Sequence, residues 1–238
     1  MSLTISGESG GGDFPKLEPG IYHGTCYSII DLGESDQEYK GVVSKKSRVH
    51  LGFEITEAID PSTNTVMMED GRPFGAFKTY TASLFEAATL RKDLESWRGK
   101  SFTEEELAGF DMDNLIGCTA KIEIGLTKKS DFGEGGNPKI MALREPKDGI
   151  KKVETHNDIV LFDIDVYCAE FTGNSSEESK AMCDVYESLN DWHKRDIEAS
   201  YQWMAAQQKF EDTPVEKLVE ETVEETENTD DFDDKIPF

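Results

Sequence analysis

The chain has 238 residues, with 49 Asp and Glu against 25 Lys and Arg and a formal net charge of −24. That length suits one large domain or one domain with appendages, and a mean hydropathy of −0.55 with 37% apolar residues points to a core carrying polar additions. No run of about 18 apolar residues is present, which excludes a transmembrane helix, and the acid surplus weighs against attraction of the whole chain to nucleic acid or anionic lipid while leaving room for a local basic groove.

Met1–Asp13 is rich in Gly and Ser and is expected to be a mobile arm. It has neither a basic n-region nor an apolar h-region, so no secretory signal is expected. Leu17-Glu18-Pro19-Gly20 reads as a turn into a first strand over Ile21–Leu32, and polar Gly33–Val43 as a loop. Lys45–Glu57 has strand periodicity, with Val49, Leu51, Phe53 and Ile55 on one face and Lys46, Arg48 and His50 on the other. Turn-rich Asp60–Pro73 leads to a third strand over Phe74–Ala82. Leu84–Trp97 reads as a helix stopped by Gly99. Thr103-Glu104-Glu105-Glu106 is a capping box for a short helix ending at Gly109.

Leu115–Leu126 alternates as a fourth strand. A basic, Gly-rich loop over Thr127–Pro138 joins it to a short strand, Lys139–Arg144, as a hairpin with a long tip. Asp148–Thr155 is a polar connector and Ile159–Val166 a further strand-like run. Ser176–Lys209 carries Met182, Val185, Leu189, Trp192, Ile197, Tyr201 and Met204 at helical steps and is expected to be one long helix, with an apolar face that offers a homo-oligomer seam. From Glu211 onward there are 12 acids and 2 lysines, so this stretch is expected to be a disordered acidic tail.

Five strands with a helix between the third and fourth, and long loops after the first and fourth, describe a mainly β, OB-fold-like five-stranded barrel with inserted helices. The expected organisation is a flexible arm over 1–16, the OB-fold-like domain over 17–170, a helical extension over 171–210 and the acidic tail over 211–238.

Cys26, Cys118 and Cys168 sit in β-like apolar stretches, and none of the four cysteines has Cys-x-x-Cys spacing. They read as buried small hydrophobes in a reducing cytoplasm. The histidines are scattered, so no metal and no cofactor is expected. Phosphate-loop, nucleophile-elbow, zinc-protease and dinucleotide fingerprints are absent, which speaks against an enzyme.

The tail ends in Asp230-Asp231-Phe232-Asp233-Asp234-Lys235-Ile236-Pro237-Phe238. An acidic tether with an apolar tip and a free carboxylate suits a small apolar pocket rimmed by basic residues. This segment resembles the C-terminal tail of bacterial and phage single-stranded DNA-binding proteins. Leu17-Glu18-Pro19-Gly20-Ile21-Tyr22, Ile30-Asp31-Leu32-Gly33 and Trp97-Arg98-Gly99-Lys100 within Leu94–Asp113 are similar to the core of phage members, as is Phe102-Thr103-Glu104-Glu105-Glu106-Leu107. The resemblance covers a little over half the chain. It implies sequence-independent binding of single-stranded DNA in replication, recombination and repair, in the (host) cytoplasm and away from membranes. It also implies that Asp230, Asp231, Asp233, Asp234, Ile236, Pro237 and Phe238 recruit replication and repair proteins.

Single-strand binding needs cations along the backbone and aromatic faces for the bases. Lys46, Arg48 and His50 on the second strand, Lys78 and Tyr80 on the third and Lys121 on the fourth are the candidates. Tyr39 and Lys40 from one loop and Lys128, Lys129 and Phe132 from the other are placed to close over the strand. Tyr80 is core, with Phe77 facing out, if the register slips by one residue. Residues 121–152 hold 8 basic and 5 acidic side chains, a reversal of the overall sign. The competing reading is an acidic protein-interaction or DNA-mimic protein with no affinity for single strands.

Overall fold

The computed structural model describes residues 17–58, 71–128 and 136–211. The expectations for the N-terminal arm, for Lys129 and Phe132, and for the acidic tail with its Asp230–Phe238 tip lie outside those residues. The protein is mainly β, with one open six-stranded antiparallel sheet and several helices. The strands are β1 (Gly20–Tyr39), β2 (Val42–Ala58), β3 (Gly75–Thr81), β4 (Thr119–Leu126), β5 (Pro138–Arg144) and β6 (Val160–Phe162). They run in the order β3-β2-β1-β4-β5, and β6 pairs with β1 off that path. The sheet is not closed into a barrel.

The chain divides into two compact units, each built from separated stretches. One holds the residues up to Ile29 together with Val49–Leu161; the other holds Ile30–Arg48 together with the residues from Phe162 onward. The sequence-based boundary at 170/171 falls inside the second unit.

In the first unit, period-two burial of Tyr22 and Cys26 on β1 and of Leu51, Phe53 and Ile55 on β2 makes one face of the sheet a core. Ala120, Ile122 and Ile124 on β4 continue that face, in the register Tyr22↔Ile122 and Gly24↔Ala120. Helix α1 (Thr89–Arg98) adds Leu90, Leu94 and Trp97 to it, and Gly99 ends α1 in the left-handed conformation. The helix starts later than expected. Ser83 Oγ accepts from the Phe85 N–H and the Phe85 carbonyl from the Ala88 N–H, so residues 84–88 form a turn, and Phe85 is exposed. The capping box of α2 (Glu104–Ala108) forms as expected: Thr103 caps the Glu106 N–H, and Glu106 accepts in return from the Thr103 N–H.

In the second unit, Gly33–Val43 is not a loop. It is the far end of β1 and the start of β2, joined at Lys40 and Gly41, which both have positive φ (52° and 77°). This is a two-residue type I′ hairpin, in which a lysine occupies a place usually held by Asn or Asp. Ile159–Val166 splits into β6 and helix α3 (Ile164–Ala169), capped by Asp163. Cys168 therefore lies on a helix rather than in a strand. The single long helix expected over 176–209 is three: α4 (Glu177–Ser188), α5 (Asp191–Glu198) and α6 (Tyr201–Glu211). Asn190 caps α5 through the His193 N–H, and Ser200 Oγ accepts from the Trp203 N–H at 3.1 Å at the start of α6. Phe162, Tyr167, Tyr186 and Trp203 form the aromatic heart of this unit, with Tyr167 stacked on both Tyr186 and Trp203 at 4.6 and 5.3 Å.

Asp31, on β1 in the second unit, accepts from the Gly33 N–H at 2.9 Å. Burial pushes its carboxyl up to about 6, and the nearby carboxylates of Asp163 and Asp165 add to the rise. An acid raised in the fold stabilises it fully below the ordinary carboxylate range, near pH 4. That contribution is lost as pH climbs from there through about 6. Asp31→Asn keeps the oxygen that serves Gly33 and removes the charge. It is expected to raise stability at pH 7.5 by about 2 kcal/mol, because each tenfold change in proton affinity on folding corresponds to about 1.4 kcal/mol. It should also flatten the pH dependence between 4 and 6. Urea unfolding of both proteins from pH 4 to 8 checks this, and identical slopes would refute it.

Candidate nucleic-acid interface

β3 carries two sets of side chains with opposite duties. Ala76, Lys78 and Tyr80 alternate on one face, where Lys78 Nζ and the Tyr80 hydroxyl both reach Asp93 of α1, at 2.6 and 2.9 Å. Tyr80 is 4% exposed, and burial together with the Asp93 charge holds its hydroxyl well above the usual tyrosine range. Tyr80 is thus a core residue and Lys78 an ion-pair partner. The register that sends Tyr80 inward turns Gly75, Phe77 and Thr79 outward.

Phe77 is 45% exposed. A Cβ placed on Gly52 of β2 would lie 3.0 Å from its ring, and one on Gly75 would lie 2.7 Å from it. The ring therefore rests on two glycines, an approach that no larger residue at either position permits. His50 lies alongside, with ring planes 15° apart and centroids separated by 5.5 Å, and Tyr27 of β1 meets Phe77 edge-on at 6.3 Å. His50 Nδ1 is 2.8 Å from Thr79 Oγ1, which helps fix the imidazole plane. Burial and the Glu54 charge push the Tyr27 hydroxyl up to about 12, so it is a protonated donor at neutral pH.

This cluster corrects the expected facing of β2. Val49, Leu51, Phe53 and Ile55 are core, but His50 (7% exposed) and Glu54 (2%) are buried on the opposite face as well. His50 is covered by Phe77. Glu54 accepts from the backbone N–H groups of His156 and Asn157 and from Asn157 Nδ2, all between 2.9 and 3.0 Å. The carboxylate pins that segment to the strand.

Lys121 faces outward between His23 of β1 and Arg144 of β5, through the pairs His23↔Lys121 and Lys121↔Arg144. Arg144 also meets Glu123 at 3.0 Å. Lys128 is exposed just after β4, and Lys139 on β5 is exposed as well.

In the second unit, Tyr39 and Lys40 lie at the hairpin turn, with Tyr39 66% exposed and Lys40 Nζ 5.2 Å from its ring centre. Lys46 is half-buried. Arg48 is committed to Asp196 of α5 at 3.1 Å, and Lys45 stands 3.9 Å over the Tyr201 ring.

The chain matches no model of a known protein family and no curated protein.

Its chemistry is therefore read from its own geometry. Among the described residues, no group of three or more His, Cys, Asp or Glu is placed to hold a metal ion, and no helix is long and apolar enough to cross a membrane. All four cysteines are free, with burial pushing the Cys26 thiol up to about 12. What the first unit does offer is the exposed Phe77 ring on the outward face of β1–β3, with His50 nearly parallel to it and Tyr27 edge-on, and a basic row across β1, β4 and β5. Of the expected binding residues, the sheet brings His50 to the aromatic cluster and Lys121 to the basic row. Phe77, named in the sequence reading only as the outward-facing alternative to Tyr80, joins them, and Tyr27, Gly52, His23 and Lys139 do so without having been singled out. The readable signal was glycine inside strands: Gly52 on β2, and Gly75 two positions before Phe77 on β3, which mark close approach by a large neighbour.

Proposed function

We propose that this protein binds single-stranded DNA without sequence preference, and that its acidic Asp230–Phe238 segment docks replication, recombination or repair proteins. The carrying observation is the Phe77 ring, laid on Gly52 and Gly75, open to solvent and bordered by His50 and Tyr27. An aromatic face fixed flat on a sheet stacks any base, because every base has a π-face. Lys121 and Arg144, paired across β4 and β5, and the exposed Lys128 and Lys139 supply cations for phosphates in a protein that is otherwise strongly acidic.

An OB-fold-like reading of the first unit has support from the strand order β3-β2-β1-β4-β5. It has further support from the approach of β3 to β5 and from α1, which lies between β3 and β4 in sequence and packs on both β3 and β5. Closing β3 onto β5 would complete a five-stranded barrel of that topology. The resemblance of Asp230–Phe238 to the tails of single-stranded DNA-binding proteins supports the docking role.

The test is a titration of a labelled, mixed-sequence oligonucleotide of about 30 nucleotides with the full chain. Anisotropy is followed at low and moderate salt, beside a matching duplex. Binding to the single strand alone, weakening as salt rises with a log–log slope of about −0.7 per phosphate neutralised, is the expected result. No binding at low salt would overturn the reading and favour an acidic protein-interaction role.

A further inference from the structure

The sheet's unclosed seam holds a partly open cavity of about 270 Å³, between the start of β3 and the start of β5. Phe74, Ala76, Ile124 and Pro138 give it apolar walls, Phe77 and Lys139 also line it, and no acidic residue among the described residues does. Its volume falls just below the roughly 300–1,000 Å³ of pockets that take drug-sized ligands, which leaves room for a single ring system. The same Phe77 that presents an open ring on the sheet face borders this cavity, so platform and cavity are continuous. Lys139 is exposed and makes no ion pair with another described residue.

We infer that the cavity is a one-base subsite that takes a single nucleobase splayed out of the strand, while Lys139 meets an adjoining phosphate. This rests on the single-strand reading above and adds to it a place where one base leaves the stack. Three features select that occupant. A flat aromatic rim suits a base, which stacks as it enters. A cation with no acidic partner among the described residues suits a phosphodiester. An apolar hollow beside a lysine, with no acid among its described lining residues, is complementary to a nucleotide rather than to a basic peptide. Apart from Lys139, the described lining residues carry no polar side chain to read a base edge, so the subsite accepts bases by shape. It should favour thymine, whose methyl group is apolar.

Two measurements on the full chain test this. The first is photocrosslinking of the wild-type protein to oligo(dT) of about 30 nucleotides carrying 5-iododeoxyuridine, with the modified peptides mapped by mass spectrometry. A base in the cavity marks Phe74, which is 8% exposed and lines it; a base on the platform alone marks Phe77 or Tyr27. The second compares Ala76→Leu with wild type for binding oligo(dT) and an abasic oligomer of equal length, with circular dichroism as the check on folding. A five- to tenfold loss on oligo(dT) with none on the abasic oligomer is expected. Crosslinks confined to Phe77 or Tyr27, or a folded Ala76→Leu protein that binds oligo(dT) as wild type does, would overturn the subsite and leave the platform reading standing. Failure of the wild-type protein to bind oligo(dT) would overturn both. If Ala76→Leu does not fold, the crosslink on the wild-type protein decides.

Discussion

Replacing Trp97 with alanine is expected to lower the unfolding free energy by about 3–5 kcal/mol, the range for removing a buried large aromatic. Trp97 is fully buried. Its indole Nε1 donates to the Thr119 carbonyl at 2.8 Å, and its ring meets Phe53 edge-on at 5.3 Å. One side chain on α1 thus ties the helix to β4 and to the middle of β2. Removal leaves a cavity and strips the Thr119 carbonyl of that donor, and each loss is costly in a core. For a chain of this size, about 2–4 °C per kcal/mol translates into a fall in melting temperature of about 6–20 °C. Thermal and urea unfolding followed by circular dichroism read it directly. Trp97→Phe keeps the ring and loses the hydrogen bond, so it should fall between the two. A fall of less than about 2 °C for Trp97→Ala would show that α1 is not anchored as described.

The largest effect on binding is expected at Phe77. Phe77→Ala should weaken binding of single-stranded DNA about fivefold to 150-fold, which corresponds to about 1–3 kcal/mol for one stacked base. The ring is nearly half exposed and its floor is backbone, so melting should barely change. Phe77→Trp should retain most of the affinity. Gly52→Ala offers a check that leaves the ring chemistry intact. Its Cβ would come within about 3 Å of both the Phe77 ring and Ser28 Cβ, so the platform must tilt and affinity should fall although no contacting residue has changed. Unaltered affinity in a folded Phe77→Ala protein would remove the platform from the mechanism.

These two residues also mark how far the sequence could be read. Trp97 lies in a helical run with a stop at Gly99, and its place in the core follows from period and punctuation. The capping box at Thr103 was readable for the same reason, since its parts are local. β2 and β4 showed themselves by alternation, and β1 by its density of β-branched and aromatic residues. The hairpin at Lys40-Gly41 did not, because Lys40 in the left-handed region is an uncommon choice and the arms around it are polar. The run from 176 to 209 kept a helical period across two breaks, because successive short helices turn their apolar faces toward one small core, and the caps at Asn190 and Ser200 only interrupt the backbone. The platform itself was hidden by register. Tyr80 and Phe77 sit three apart on a strand, so one must face in and the other out, and only the pairing of Tyr80 with Asp93 decides which. The glycines beneath Phe77, Gly52 and Gly75, lie 23 positions apart in sequence, a relation no local pattern displays.

The division of the chain into interleaved stretches bears on how the protein is made. The hairpin between Ile30 and Arg48 leaves the ribosome more than a hundred residues before Phe162, where the rest of its unit begins. During that interval the ribbon has no helices of its own unit to join, and its tip carries Tyr39, Val42 and Val43, all more than half exposed even in the finished fold. At about 5–20 residues per second, the wait lasts several seconds or more. The nascent chain must keep a long, bare strand pair from meeting others of its kind. The acids at Glu34, Asp36 and Glu38 along one arm are well placed to do so by mutual repulsion.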